Sequence, residues 1–187
     1  LLASTYAELV EGQTKELNLA FDTDHSIEDY LKVIEGKTAS LIRTSARLGA
    51  LASNADNEII DTISNWGWYC GIIFQISDDI LDLTSDSETL GKPTGNDIIE
   101  GTYTLPVLIA LESDKGKYQE LINSIHEGKS NIESLLNEFS NDNIIEKSKD
   151  LIYSYHSKSV ESIYNLKNHD LFPTLENINN YLINRTS

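Results

Sequence analysis

Cysteine is nearly absent from this chain. Cys70 stands alone, so no internal disulfide can form, and such usage fits a reducing compartment. Cys70 lies in an apolar helical stretch, where a buried, inert thiol is expected rather than a nucleophile. Basic residues are scarce too: 14 Lys and Arg stand against 30 Asp and Glu, for a net charge of −16. The chain therefore lacks the basic surface that nucleic acid or anionic lipid requires. Much of this acidity reads as a well-solvated surface, and it is compatible with anionic substrates met through bound cations. No apolar run is long enough to span a bilayer. The N-terminal stretch has neither the basic flank nor the apolar core of a secretory signal, which makes a cytoplasmic location the expectation. The first residue is Leu1 rather than Met, which raises the expectation of a trimmed chain.

What remains is a 187-residue sequence with 40% hydrophobic and 24% charged residues, enough for one domain with a real core. Apolar spacing is helical almost throughout, and no segment alternates strictly. The reading is all-α, with helices at about 1–20, 27–53, 57–84, 104–113, 116–127, 130–139, 142–168 and 174–184. Ser26 followed by Asp29 predicts a capping box at the start of the second helix. Gly91, Pro93, Gly95 and Gly101 punctuate a loop over about 85–102. Gly49 and Gly71 fall inside helices, which predicts close packing or an approaching ligand at each.

One stretch poses a chemical question. "FQISDDILDL", Phe74 to Leu83, sets three aspartates into an otherwise buried-looking helix. Tyr69, Ile72, Ile73, Ile76, Ile80 and Leu83 form an apolar stripe. Gly71, Gln75, Asp78 and Asp82 form a second, polar one, with Asp79 at its edge. Asp78 and Asp82 are one turn apart and can reach a common hard cation such as Mg²⁺. Taken alone, such a trio reads as a solvated surface feature. The following "LGKPTGND" shifts that balance, because Lys92 brings an ammonium beside the acids, as a diphosphate–metal site needs. Upstream, "EGKTASL" carries Lys37 and Thr38 in mid-helix, where Thr is a poor choice unless its hydroxyl is used. Other readings fail on spacing. An EF-hand begun at Asp82 would need Gly and Glu where Ser87 and Pro93 stand. "GKPTG" lacks the upstream Gly of a phosphate-binding P-loop, and the four histidines have no zinc spacing.

"FQISDDILDLTSDSETLGKPTGNDIIEGTYTLPVLIALE" closely resembles the second aspartate-rich region of trans-isoprenyl (polyprenyl) diphosphate synthases. "LVEGQTKELN" and "DYLKVIEGKTASLIRTSARLGALAS" resemble the segments that precede it in that family. The resemblance implies an all-α isoprenoid synthase fold, with helices around a central cavity, and Mg²⁺-dependent chain elongation. In that reaction an allylic diphosphate ionises, isopentenyl diphosphate attacks the carbocation, and a proton is lost. Carried over, Asp78, Asp79 and Asp82 match the metal-binding motif. Lys37, Thr38, Gln75 and Lys92 match catalytic and diphosphate-binding positions, and Asp97 matches an acid that organises the same site. Thr102 stands where many members have Lys. This resembles the catalytic subunits of bacterial two-component synthases of heptaprenyl type, implying a menaquinone-linked role. A homodimer, or a heterodimer with a small regulatory subunit, is the implied assembly. The family's first DDxxD motif is missing from this sequence, as are the basic residues that hold isopentenyl diphosphate. Residues 1–187 are accordingly expected to be the C-terminal part of a single domain, inactive alone. Two alternatives share the fold. A non-catalytic interaction subunit has no need of three close acids, and a terpene cyclase usually carries an Asn/Ser/Glu motif not found here.

Overall fold

A 28-residue helix, α4 (Asn57–Thr84), forms the axis of the molecule, roughly 42 Å long at the standard rise. Asp56 caps it by accepting the Ile59 N–H. Ile72, Ile73, Ile76 and Ile80 are fully buried along it. The computed structural model describes residues 1–85 and 94–185, and no strand occurs among them. Ahead of α4 come α1 (Leu2–Asn18), α2 (Ile27–Ile34), a π-helical turn (Glu35–Ala39) and α3 (Ser40–Ala52). After it come α5 (Asn96–Ile99), α6 (Leu105–Ser113), α7 (Lys115–His126), α8 (Ile132–Asn141), α9 (Ile144–Ser162), a 3₁₀ turn (Tyr164–Leu166) and α10 (Phe172–Asn184). α3 and α9 pack along α4, α2 meets it both directly and through the π turn, and α1 packs on the π turn. None of the described helices is long and apolar enough to cross a membrane.

The capping box forms as its residues predict: Ser26 Oγ accepts the Asp29 N–H, and Asp29 accepts the Ser26 N–H. The expected continuous helix over 27–53 is corrected. It is interrupted by the π turn, in which the Ser40 N–H reaches back to the Glu35 carbonyl. Ser40 Oγ also donates to the Gly36 carbonyl at 2.6 Å, supplying a partner inside the widened turn. The expected helix over 142–168 ends sooner, at Ser162, and gives way to the 3₁₀ turn. The expected loop over 85–102 contains the short helix α5.

Gly71 meets the prediction of close packing, since a Cβ there would lie 2.5 Å from Ala39 Cα. At Gly49 no packing neighbour is present, since a Cβ there would meet nothing within 4 Å. That face of α3 is open to solvent, so helical position alone did not imply a neighbour.

α10 is pinned by one buried amide. Asn179 Oδ1 accepts hydrogen bonds from Trp66 Nε1 (3.0 Å), Ser159 Oγ (2.9 Å) and Cys70 Sγ (3.4 Å). One side chain thus joins α4, α9 and α10.

Candidate functional site

A pocket of about 200 Å³ opens where α1, α2, the π turn and α4 converge with α5 and the segment that enters α6. Glu16, Lys37, Gln75, Asp79, Asp97 and Glu100 line it, with Tyr30, His25 and Thr102. Leu19, Val33 and Ile34 supply an apolar side.

Lys37 sits in the π turn. Such insertions change the direction of side chains relative to a regular helix and are frequent at functional sites. The turn lies against α1 closely: a Cβ on Gly12 would fall 2.5 Å from the Lys37 backbone nitrogen. Lys37 Nζ donates to both carboxylate oxygens of Glu16, at 2.9 and 2.7 Å. Its side chain keeps 38% of its exposure, so the ammonium stays reachable from solvent.

Beside it runs a four-residue relay. Thr38 Oγ1 donates to Gln75 Oε1 at 2.7 Å, and Gln75 Nε2 donates to Asp79 Oδ1 at 2.9 Å. Tyr30 Oη donates to Asp79 Oδ2 at 2.5 Å. The mid-helix Thr38 hydroxyl is therefore used, as its awkward position predicted. Burial pushes the Asp79 carboxyl up to about 7. The hydrogen bonds from Tyr30 and Gln75 act downward, and the negative charges of Asp97 and Asp78 push it up again. Burial also raises the Tyr30 hydroxyl, with Asp79 adding to the effect, so Tyr30 remains a donor.

Asp97 arrives through a left-handed Gly95 (φ 71°), whose N–H donates to the Asp82 carbonyl at 2.9 Å. The chain is thereby tied back onto α4, and α5 begins at the pocket. Beyond α5, the Thr102 N–H donates to the Asp97 carbonyl at 2.8 Å.

The residues expected to act together divide into groups. Lys37, Gln75, Asp79 and Asp97 share the pocket, and Thr38 stands behind Gln75. Asp79, expected at the edge of the polar stripe, is the motif carboxylate that lines the pocket. Asp78 points elsewhere, to Arg185 at 2.6 Å. Asp82 is buried, at 3% exposure, and does not line the pocket. Lys92 lies outside the described residues. Glu16, Tyr30 and His25 were missed. Tyr30 had a usable signal, since Tyr30, Ile34 and Lys37 recur at helical spacing on one face.

No group of three or more His, Cys, Asp or Glu side chains among the described residues could hold a metal ion by itself. The pocket nevertheless carries four carboxylates, those of Glu16, Asp79, Asp97 and Glu100. Mg²⁺ commonly takes one or two such ligands and completes its shell with water and phosphate oxygens, so these acids fit an ion shared with a substrate.

The chain matches the family model for polyprenyl synthetase over residues 1–141. It is 37% identical over 167 residues to heptaprenyl diphosphate synthase component 2 of Bacillus subtilis, covering 89% of this chain and 48% of that protein. The chain thus spans about half the length of this curated relative. Among solved structures, heptaprenyl diphosphate synthase from Staphylococcus aureus superposes with a TM-score of 0.89 at 27% identity, covering 100% of this chain and 59% of that one. Polyprenyl synthase from Caulobacter crescentus, complexed with calcium and isoprenyl diphosphate, gives a TM-score of 0.88 at 26% identity, covering 100% and 58%. With the family model matched over most of its residues and the same all-helical framework, the chain belongs to the polyprenyl synthetase family.

Proposed function

We propose that this chain forms one wall of a magnesium-dependent prenyltransferase. The enzyme condenses isopentenyl diphosphate with an allylic diphosphate into a medium-chain linear polyprenyl diphosphate, of heptaprenyl length. One observation carries the reading: the pocket sets Lys37 among four carboxylates, Glu16, Asp79, Asp97 and Glu100. A diphosphate is repelled by such a lining unless cations intervene, and oxygen donors of this kind suit Mg²⁺. Asp78, Asp79 and Asp82 are the proposed metal-facing acids. When bound, the ion supplies charge stabilisation for the departing diphosphate.

The remaining roles belong to the chain itself. Lys37 and Lys92 place point charges on diphosphate oxygens. Thr38 fixes the Gln75 amide, and Tyr30 with Gln75 fixes Asp79. Asp97 organises the pocket from α5. Leu19, Val33 and Ile34 keep water from the allylic cation. The heptaprenyl names of the Bacillus and Staphylococcus proteins support the product length, and the word "component" supports a partner subunit. The calcium and isoprenyl diphosphate of the Caulobacter complex support a divalent-cation site. A cytoplasmic, menaquinone-linked role belongs to the same proposal.

The test is incorporation of labelled isopentenyl diphosphate with an allylic diphosphate and Mg²⁺. The chain is assayed alone and together with a polypeptide carrying the first DDxxD motif. Elongation is expected only from the pair, with linear heptaprenyl product. Robust elongation by this chain alone would overturn its role as one half of a site. Cyclic hydrocarbon products would make it part of a terpene cyclase. Absence of Mg²⁺-dependent binding of a diphosphate analogue by the pair would leave a non-catalytic interaction subunit.

A further inference from the structure

Arg185 follows α10 directly and lies far from Asp78 in sequence, yet its Nη2 donates to Asp78 Oδ1 at 2.6 Å. The guanidinium also stacks over the Phe74 ring, 4.7 Å from its centroid, one turn ahead of Asp78 on α4. The Arg185 side chain is 21% exposed and that of Asp78 is 41% exposed. Arg185 Nη1 is buried with no hydrogen-bond partner among the described residues. The arginine is therefore held on one side by Asp78 and on one face by Phe74, and is incompletely satisfied otherwise. Its position is set by the Asn179 anchor that fixes α10 against α4 and α9.

Asp79 commits one oxygen to Tyr30 and the other to Gln75. Asp78 is instead held by a side chain that is itself a cation. A divalent ion on the Asp78 carboxylate would sit within a few ångströms of the guanidinium, and two cations on one carboxylate repel.

We infer that Arg185 is a latch on Asp78: it occupies that carboxylate when no divalent ion is bound, and must withdraw before Asp78 can ligate one. Arg185 is a positioning residue, competing with the metal rather than touching substrate. The latch couples α10 to the state of the metal site. When Asp78 passes to the ion, the end of α10 loses its ion pair and loosens. The inference rests on the proposed reading of Asp78 as a metal-facing acid.

The experiment uses the full chain together with a polypeptide carrying the first DDxxD motif and inorganic pyrophosphate, with Mn²⁺ as a spectroscopically visible stand-in for Mg²⁺. Binding is measured by electron paramagnetic resonance for the wild type, Arg185→Gln, Arg185→Lys, Asp78→Asn and the Arg185→Gln/Asp78→Asn double variant. Hydrogen exchange over residues 172–185 is followed with and without Mn²⁺. Removing one partly exposed ion pair should tighten Mn²⁺ binding by about fivefold in Arg185→Gln. Arg185→Lys, which keeps the charge, should stay near wild type. The double variant should bind no better than Asp78→Asn, and Mn²⁺ should speed exchange at the end of α10 in the wild type. Equal Mn²⁺ affinity in wild type and Arg185→Gln, with loss in Asp78→Asn, would overturn the latch and leave the metal reading standing. Tightening that persists without the Asp78 carboxylate would also overturn the latch. No binding by any of the five proteins would overturn the latch and the metal reading together.

Discussion

Tyr30 Oη lies 2.5 Å from Asp79 Oδ2, and each side chain is only 5% exposed. The bond ties α2 to the aspartate-rich helix and fixes one oxygen of the carboxylate that lines the pocket. Gln75 fixes the other oxygen, so the Asp79 carboxylate has one orientation.

Tyr30→Phe removes that donor while keeping the ring. A buried carboxylate oxygen then loses its partner, which costs about 1–3 kcal/mol. Urea unfolding should show a lower midpoint with an unchanged slope. In the completed enzyme, turnover should fall more than stability does, because Asp79 would be held by Gln75 alone.

Asp78→Ala should separate turnover from stability further still. Asp78 is 41% exposed and its ion pair with Arg185 is partly solvated, so unfolding stability should change by no more than about 1 kcal/mol. Turnover of the completed enzyme should drop by about two orders of magnitude or more, the usual scale for losing one electrostatic stabiliser. A stability collapse with unchanged metal dependence would make Asp78 structural.

The sequence made some of this legible and hid the rest for identifiable reasons. α4 falls on the range that apolar spacing marks, because its buried isoleucines repeat with helical period over many turns. The π turn was hidden because one added residue barely alters a pattern read across the long 27–53 window. Choosing between Asp78 and Asp79 was harder still. At about 100° per residue, both lie within about 60° of Gln75, on opposite sides. Which one enters the pocket depends on where α2 brings Tyr30, a tertiary contact that local spacing does not encode. Glu16 as the partner of Lys37 was hidden for the same reason, since the pair forms only where α1 crosses the π turn.

Cys70 should be chemically silent in the folded chain. Burial pushes its thiol up to about 12, a hydrogen-bond contact with Ser159 acts weakly against this, and the residue is 3% exposed. At pH 8 almost no thiolate is present, and the thiolate is the nucleophile. Ellman's reagent should therefore react with the single thiol only as fast as the chain unfolds. Addition of urea past the midpoint should release the full stoichiometry. Rapid labelling of the native chain would contradict the buried position.

Asn179→Ala should be among the costliest single changes. It strands the indole N–H of Trp66 and the hydroxyl of Ser159, both bonded to the same oxygen in a site with no exposure at Asn179. Each stranded donor costs about 1–3 kcal/mol, so a loss of about 2 kcal/mol or more is expected. Trp66 fluorescence should report the change directly. Hydrogen exchange should rise first in α10, because Asn179 is what ties that helix to α4 and α9.

Two glycine-to-alanine substitutions should separate packing from propensity. In a helix interior, replacing Gly by Ala gains up to about 1 kcal/mol wherever the new methyl has room. Gly49 has that room, with nothing within 4 Å of its added Cβ, so Gly49→Ala should raise the thermal midpoint. Gly71 does not have it. Its added Cβ would sit 2.5 Å from Ala39 Cα, a backbone atom of the π turn that cannot swing aside as a side-chain tip can. Overpacking of this kind costs about 1–3 kcal/mol and outweighs the propensity gain. The displaced segment carries Lys37 and Thr38, so Gly71→Ala should also weaken binding of a diphosphate analogue to the completed enzyme. Gly49→Ala should leave that binding unchanged. If both variants were stabilised and bound the analogue equally, the tight contact between α4 and the π turn would not be what positions Lys37.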